Sequence, residues 1–433
     1  MSGGEPVRFD GFPEEYREQF EKAARGYGWP KFGHAAELRS LHYHASLRDK
    51  TRSDGPSREA REAIVQGVAE QYSSATWSIP EDFLQFSHFE RVVKNLDWTS
   101  SPGYPYMRRA PTNRILFNVN SIGVPDPDKV SWMWEVVQNQ IRDRVSDPIR
   151  LFIKAEPHKL KKLEDGRYRL ISSVSVVDQL IDHMLFGDMN ESLVENWLNV
   201  PSKIGWSHLW GGWRSIPRDW VAVDKSSWDW TMQSWVCEMV LEVRLRLCSN
   251  PSQEWLDLAQ WRYRELFLNP LFVTSGGWIL RQMRPGVMKS GCVNTIADNS
   301  IAQSILDVRV CYELGLSPEP LMSLGDDTYQ KKRAAMGEYL ERLSQYAILK
   351  QVVEAPEFGG FRFLGPKQVE PLYKGKHAYI LLHVDPEVLP ELAPSYQLLY
   401  HRSAYRDMME DIFLRMGQEI VPRRTRDLIF DGY

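Results

Sequence analysis

The chain has 433 residues, with 53 Lys and Arg against 57 Asp and Glu, a net charge of −4, and 43% hydrophobic residues. A length of this order predicts two or three subdomains around at least one large core, and the composition excludes a disordered, collagenous or coiled-coil chain. Because the net charge is slightly negative, any nucleic-acid site must be a local basic cluster.

Neither the cysteines nor the first residues show a cross-linking or targeting pattern. Cys237, Cys248, Cys292 and Cys311 match neither zinc-site spacing nor a disulfide framework, so a reducing compartment is expected. The N-terminal residues lack the basic and apolar parts of a signal peptide, and no apolar run approaches the roughly 18 residues that span a bilayer. These patterns predict a cytosolic protein without a transmembrane segment.

The first half of the chain is predicted to be mostly helical. Apolar residues recur at three-to-four spacing over residues 12–28, 130–146 and 182–197. Residues 50–58 and 99–106 are dense in turn formers, which predicts loops at both places.

The second half of the chain has a different pattern. Short apolar runs at 220–224 and 321–327 end in acidic residues and are predicted to be strands. Helical patterns follow at 231–248 and 292–313, and the C-terminal part is again helical. This alternation indicates an α+β fold.

Two acidic segments have patterns that could place carboxylates around metal ions. Residues 321–329 have the pattern of a hairpin whose turn exposes Asp326 and Asp327, while Asp224 ends a buried-looking strand and Asp229 follows one turn later. Mg²⁺ prefers carboxylate oxygens, and two ions about 3.5 to 4 Å apart can bind the attacking and leaving oxygens of a phosphoryl transfer. Taken singly, each segment is more simply explained as a solvated turn or a helix cap. The prediction of a metal site therefore depends on both occurring together.

A glycine-bearing loop, residues 285–294, leads into the predicted helix. Ser290 and Gly291 would let the backbone approach a nucleotide, while Thr295 and Asn299 share a helix face and offer a hydroxyl and an amide to a sugar. The alternative is that Ser290 caps the helix and Asn299 is solvated. These residues alone favour neither interpretation.

The order of these segments resembles that of viral RNA-dependent RNA polymerases. Three groups of residues are similar to motifs A, B and C of that family: Asp224 and Asp229; Ser290, Gly291, Thr295, Asn299 and Ser300; Gly325, Asp326 and Asp327. Lys154-Ala-Glu156 with residues 166–171 resembles motif F, and residues 99–106 resemble motif G. The residues at 156–159, 166–179 and 288–291 are most similar to polymerases of sobemoviruses, poleroviruses and barnaviruses.

The resemblance implies a right-hand polymerase with fingers, palm and thumb, and an antiparallel palm sheet flanked by helices. The implied boundaries are residues 1–215 for the fingers with an N-terminal extension, 216–252 for the palm with motif A, 253–285 for a return to the fingers, 286–372 for the palm with motifs B to E, and 373–433 for a short thumb.

The segment from residue 154 to residue 169, here called the basic loop, is the local basic cluster. Six Lys and Arg against three acidic residues give it a charge of +3. Such loops are more often merely solvated, but beside an acidic metal site they can neutralise and orient a triphosphate. The implied nucleotide-binding cations are Lys154, Lys162, Arg167 and Arg169.

The resemblance implies template-directed RNA synthesis on RNA, in viral genome replication and transcription, with two Mg²⁺ ions. Mn²⁺ is an alternative, because both ions accept carboxylate oxygen. Asp224 and Asp326 are the implied metal ligands, supported by Asp327. Lys350 resembles the motif D lysine that would protonate pyrophosphate, although many such lysines are only surface charges.

The remaining implied site residues bind the nucleotide or the template. Asp229, Ser290 and Asn299 would recognise the ribose 2′-hydroxyl, with Gly291 and Thr295 beside them. Ser101, Gly103 and Tyr104, in the motif G segment, would contact the template.

The expected partners are the RNA template, the nascent RNA and ribonucleoside triphosphates. De novo initiation and a genome-linked protein primer stay open as alternatives. The expected location is the host-cell cytoplasm, with membrane-associated replication complexes reached through partners. Two other functions are alternatives: a reverse transcriptase, which usually carries a bulky aromatic where Asp229 stands, and a non-catalytic RNA-binding scaffold subunit, which would not need its three carboxylates at 224, 326 and 327.

Overall fold

The computed structural model describes residues 4–433 as helices packed around four small sheets. The helices are α1 (Glu14–Ala24), α2 (His34–Ser46), α3 (Arg58–Gln71), α4 (Phe86–Lys94), α5 (Asn113–Leu116), α6 (Pro127–Asp143), α7 (Leu160–Glu164), α8 (Val176–Glu195), α9 (Trp228–Thr231), α10 (Ser234–Arg246), α11 (Gln253–Tyr263), α12 (Thr295–Leu314), α13 (Met336–Leu343), α14 (Lys374–Leu382), α15 (Leu389–Leu399), α16 (Arg406–Arg415) and α17 (Arg423–Asp431). The strands are β1 (Tyr27–Gly28), β2 (Ile149–Ile153), β3 (His158–Lys159), β4 (Leu170–Ser173), β5 (Trp220–Lys225), β6 (Leu271–Val273), β7 (Ile279–Arg281), β8 (Leu321–Leu324), β9 (Asp327–Lys331), β10 (Leu349–Val353), β11 (Glu357–Phe358), β12 (Phe361–Gly365) and β13 (Gln368–Pro371).

The central sheet is antiparallel and has the strand order β10-β5-β9-β8. Residues 221–223 of β5 are buried on both faces of the sheet, which explains their continuous apolar run. Strands β8 and β9 form the predicted hairpin, with a two-residue turn at Gly325 and Asp326. Gly325 has a φ of +63°, a conformation that glycine adopts without strain.

Helices α10 and α12 pack together beside the central sheet. Residues 297–311 of α12 are all buried, so this helix is covered on every side and shows no polar stripe. Its one early charge is paired: Asp298 accepts hydrogen bonds from Arg244 Nη2 at 2.8 Å and from the Tyr263 hydroxyl at 2.7 Å. Burial of that charge is tolerated because both oxygens are bonded.

A second four-stranded sheet, the outer sheet, has the order β4-β2-β6-β7. Its β2–β6 pair is parallel and its other pairs are antiparallel. Because β6 and β7 come from residues 271–281, the chain between α10 and α12 returns to the sheet that holds both ends of the basic loop.

The C-terminal helices α14 to α16 share a core with the N-terminal helix α1. Phe12 and Phe20 pack in one apolar cluster with Leu381, Leu382 and Phe413. Strand β1, just after α1, pairs with β3 inside the basic loop. The N-terminal segment, residues 12–28, therefore contacts both the basic loop and the helices after residue 373.

The predicted α+β class is confirmed, and so are the helices predicted around residues 12–28, 130–146 and 182–197. The helix predicted over 231–248 is α10, which begins at Ser234 because the chain leaves the single turn α9 at Thr231 and is not helical at Met232 and Gln233. No helix among residues 4–433 is long and apolar enough to cross a membrane. All four cysteines are buried and free.

Candidate active site

A cavity of about 390 Å³, here called the acidic cavity, lies where the central sheet meets the small β11–β13 sheet. The carboxylates of Asp224, Asp326 and Asp327 line it. Lys350 lies on its rim and is exposed. The structure thus brings together the four residues to which the sequence assigned catalysis.

The sheet register explains how two of these carboxylates meet. Val223 pairs with Thr328 across the β5–β9 ladder, so Asp224 and Asp327 occupy the next opposed position. Asp327 Oδ2 accepts a hydrogen bond from the Gly359 amide at 2.8 Å, and Asp224 Oδ2 accepts one from Gln351 Nε2 at 2.7 Å. Each side chain is therefore oriented through one oxygen and keeps the other for a ligand.

Burial and the repulsion between neighbouring carboxylates raise the pKa values of Asp326 and Asp327. Burial raises the pKa of Asp327 to about 6, with a further contribution from Asp224 and Asp326. Burial also raises the pKa of Asp326, which the Lys225 charge partly offsets. Such concentrated negative charge in a polar cavity is favourable only with cations nearby.

Lys225 is a cation that the sequence interpretation did not use. Its Nζ donates to Thr328 Oγ1 at 3.2 Å, and its side chain lines the acidic cavity. Burial lowers its pKa to about 8, against the opposing effect of Asp326, Asp327 and Asp224. Lys225 directly follows Asp224 in the strand that ends at the cavity, and this position is the sequence signal that could have identified it.

The donor set suits divalent cations that prefer oxygen, since Asp224, Asp326 and Asp327 all present carboxylates to one polar cavity. Within residues 4–433, however, no three His, Cys, Asp or Glu side chains lie close enough together to form a metal cluster. The residues present fit ions whose remaining ligands are water and phosphate oxygens, which is the usual case for Mg²⁺.

Two side chains, Asp229 and Asn299, join α9 to α12, and they are called the sugar-facing pair after the role that the sequence predicts for them. Asn299 Nδ2 donates to Asp229 Oδ1 at 2.9 Å, and Asn299 Oδ1 accepts from Trp228 Nε1 at 2.9 Å. Trp228 therefore sets the direction of the amide. Burial and the charge of Asp326 raise the pKa of Asp229 to about 6. Among residues 4–433, one oxygen of Asp229 and one N–H of Asn299 have no further bond, and this acceptor and donor match a hydroxyl group.

The glycine-bearing loop is attached to the outer sheet. Ser290 Oγ accepts a hydrogen bond from the Ser172 amide at 3.1 Å, and Gly291 forms a parallel bridge with Ser173. A Cβ at Gly291 would lie 2.3 Å from the Ser172 carbonyl oxygen, so this close approach requires glycine. Thr295 shares its hydroxyl between the carbonyls of Lys289 and Cys292, both at 2.8 Å. Ser290 and Thr295 thus shape the loop itself.

Ser300 connects α12 to the carboxylate turn. Its Oγ accepts from the Gly325 amide at 2.9 Å and donates to the Ile296 carbonyl at 2.6 Å. The sugar-facing pair and the carboxylate turn are therefore fixed relative to each other. The sequence placed Ser300 beside Asn299 but assigned it no role, because a small polar residue in a helix carries no local signal of a distant partner.

The basic loop is ordered by ion pairs within it. Arg169 and Lys154 both contact Glu156, at 2.7 and 3.3 Å, while Arg167 pairs with Asp165 at 3.0 Å. Burial, together with the charges of Arg169 and Arg167, lowers the pKa of Lys162. The four predicted nucleotide-binding cations therefore belong to one folded loop.

The predicted template-binding segment is attached at the start of α8. The Val176 amide donates to the Pro102 carbonyl at 2.8 Å, and a Cβ at Gly103 would lie 2.9 Å from Ser175 Cα. Ser101 is exposed and Tyr104 is half-buried. Their role in contacting a template stays a prediction.

Asp224 and Asp327, opposed across the β5–β9 ladder with Asp326 on the adjoining turn, form an arrangement that suits phosphoryl transfer with two metal ions. A family profile described as viral RNA-dependent RNA polymerase matches residues 50–347. The chain belongs to this family.

Among its relatives, Protein P1-P2 of potato leafroll virus is 29% identical over 453 residues, which cover 92% of this chain and 41% of the relative. Protein P1-P2 of pea enation mosaic virus-1 is 30% identical over 91% of this chain and 35% of the relative. Replicase polyprotein P2AB of southern cowpea mosaic virus is 31% identical over 70% of this chain and 33% of the relative. The predicted similarity to poleroviruses and sobemoviruses is confirmed. The chain spans about two fifths or less of the length of these relatives.

Proposed function

We propose that this chain synthesises RNA on an RNA template, by nucleotidyl transfer at the acidic cavity. The opposition of Asp224 and Asp327 across the β5–β9 ladder, with Asp326 on the adjoining turn, carries the proposal. Membership in the polymerase family supports it.

In the proposed mechanism, Asp224 and Asp326 hold the divalent cations, and Asp327 supports them. When bound, two Mg²⁺ ions would lower the pKa of the primer 3′-hydroxyl and neutralise charge on the triphosphate. Cations of the basic loop would bind the β- and γ-phosphates and place the α-phosphate opposite the hydroxyl. Lys350, exposed at the rim of the cavity, would deliver a proton to the leaving pyrophosphate oxygen.

Selection of ribonucleotides would depend on the sugar-facing pair. A ribose 2′-hydroxyl would donate to the free oxygen of Asp229 and accept from the free N–H of Asn299. A deoxyribose would leave both groups unpaired in a buried place, which is costly.

The assay for this function is extension of a short self-priming RNA hairpin with four ribonucleotides and Mg²⁺. We expect products that require all four nucleotides for full length, and Asp326→Ala should abolish them while RNA binding, measured by fluorescence anisotropy, changes less than about twofold. Mn²⁺ should substitute for Mg²⁺ in the same reaction. Full-length product from Asp326→Ala would remove this residue from the proposed role, and a wild-type chain that binds RNA without extending it would favour the scaffold function.

A further inference from the structure

Glu156 in the basic loop forms ion pairs with three basic side chains, which come from two distant parts of the chain. Arg169 Nη1 contacts Oε1 at 2.7 Å, while Lys154 and Lys376 both contact Oε2. Lys376 belongs to α14, outside every segment that the motifs cover. The Glu156 side chain is only 12% exposed, so its charge must be met by protein groups.

Lys376 and Lys154 contact the same oxygen, Glu156 Oε2, and Lys376 is the closer of the two. Lys376 Nζ donates at 2.8 Å, a hydrogen-bond distance, whereas Lys154 Nζ stands at 3.3 Å. Burial alone would raise the pKa of Glu156, but the hydrogen bond from Lys376 and the charges of Arg169 and Lys154 lower it to about 2. The carboxylate is thus ionised at neutral pH and attracts whichever cations are nearest.

The backbone holds Lys376 at this position. The Gly26 carbonyl accepts from the Leu160 amide of the basic loop at 3.0 Å, and a Cβ at Gly375 would lie 2.8 Å from the Ala23 carbonyl. The N-terminal segment therefore touches the basic loop on one side and the backbone of α14, next to Lys376, on the other. An ion pair between parts fixed in this way loses little side-chain entropy compared with one on a free surface.

We propose that Lys376 is a positioning residue for the incoming nucleotide: by bonding to Glu156 Oε2 at 2.8 Å, it leaves Lys154, which stands at 3.3 Å, available for the triphosphate. The inference rests on the proposed function. Without Lys376, Lys154 would move closer to Oε2, and Glu156 would hold this lysine away from the triphosphate in addition to Arg169, which it already binds. A lysine remote from the reacting atoms would thereby set nucleotide affinity.

The test compares Lys376→Met with Lys374→Met, a matched control on the same helix whose lysine pairs with Glu370 at 2.8 Å. We expect Lys376→Met to raise the KM for ribonucleotides about fivefold with kcat changed less than twofold, the size of effect typical of one redirected charge. Lys376→Arg should restore most of the affinity, and the control should match the wild type. Equilibrium binding of a fluorescent ribonucleoside triphosphate should weaken by the same factor.

A double-mutant cycle tests whether Lys376 acts on nucleotide affinity through Glu156. In a Glu156→Gln background, Lys376→Met should have no further effect on nucleotide affinity, because the charge that withdraws Lys154 is gone. An unchanged KM and binding constant in Lys376→Met, or an equal loss in the Glu156→Gln background, would overturn the proposal. A lower melting temperature with unchanged nucleotide affinity would also overturn it, because Lys376 would then only stabilise the fold. The direct binding measurement keeps this test separate from the proposed function, since failure of the wild type to extend RNA overturns only the latter.

Discussion

Removing the Asn299 amide should weaken discrimination between ribonucleotides and deoxyribonucleotides. In Asn299→Ala the 2′-hydroxyl loses one donor, and the remaining partner is Asp229. An uncharged hydrogen bond contributes about 0.5 to 1.5 kcal/mol, and each 1.4 kcal/mol is tenfold, so the preference for ribose should fall about two- to twelvefold. The loss should appear as a lower kcat/KM for the ribonucleotide, with the deoxyribonucleotide affected less.

A second variant tests the origin of this selectivity. Trp228→Phe keeps an aromatic ring but removes the Nε1 donor that directs the Asn299 amide at 2.9 Å. We expect a smaller loss of ribose preference than in Asn299→Ala, because the amide would turn away for only part of the time. Asn196→Ala serves as a control, since its side-chain amide donates to the Ser192 carbonyl of the preceding helix α8 at 2.8 Å.

The assay is single-nucleotide extension of an RNA hairpin with CTP or dCTP opposite a templating G, giving kcat/KM for each. An equal fall of both values in Asn299→Ala would contradict this prediction, because Asn299 would then support the fold without reading the sugar. A larger effect of Trp228→Phe than of Asn299→Ala on the ratio of the two values would also contradict it.

Two further predictions concern stability and pH. Asp298→Ala leaves the buried Arg244 without its charged partner. We expect the free energy of unfolding to fall by about 3 to 5 kcal/mol, which is about 3 to 5 °C in melting temperature at this chain length. Lys332→Ala, which breaks the exposed Lys332–Glu354 pair, should change it by less than about 1 kcal/mol. Equal melting temperatures for the two variants would contradict this. For Asp327, a folded pKa of about 6 lies above the ordinary 3.8, so this group destabilises the fold as pH rises from 3.8 to 6 and is ionised only above that range. Mg²⁺ affinity, measured by calorimetry without nucleotide, should therefore fall about fourfold between pH 7.5 and 5.5, and a pH-independent affinity would show that Asp327 does not support the bound ions.

Local patterns predicted the parts of the site that lie within single segments. The hairpin at Asp326 and Asp327 follows from two apolar runs around a glycine turn, and Asp224 ends an apolar run that forms a buried strand. These features depend on neighbours a few residues away, so a sequence shows them directly. The pairing of Asn299 with Asp229 was anticipated only through the family resemblance, since nothing local joins positions 70 residues apart.

Other parts of the site depend on contacts that no local pattern encodes. Lys376 lies 220 residues from Glu156, and the helical pattern around it indicates only that one face is apolar. Likewise, the spacing of apolar residues predicts that α1 is amphipathic but not that it packs on α14. Which faces meet is decided by global packing, and so the positioning role of Lys376 required the folded structure.

The burial of all four cysteines has a practical consequence. Burial also raises the pKa of Cys237 and Cys292, which disfavours the reactive thiolate further. Thiol-directed dyes should therefore react slowly with the native chain and rapidly with a cysteine introduced on its surface. One such position on the basic loop and another on α16 would allow the distance between them to be followed by energy transfer during the proposed nucleotide addition, without first replacing any of the four natural cysteines.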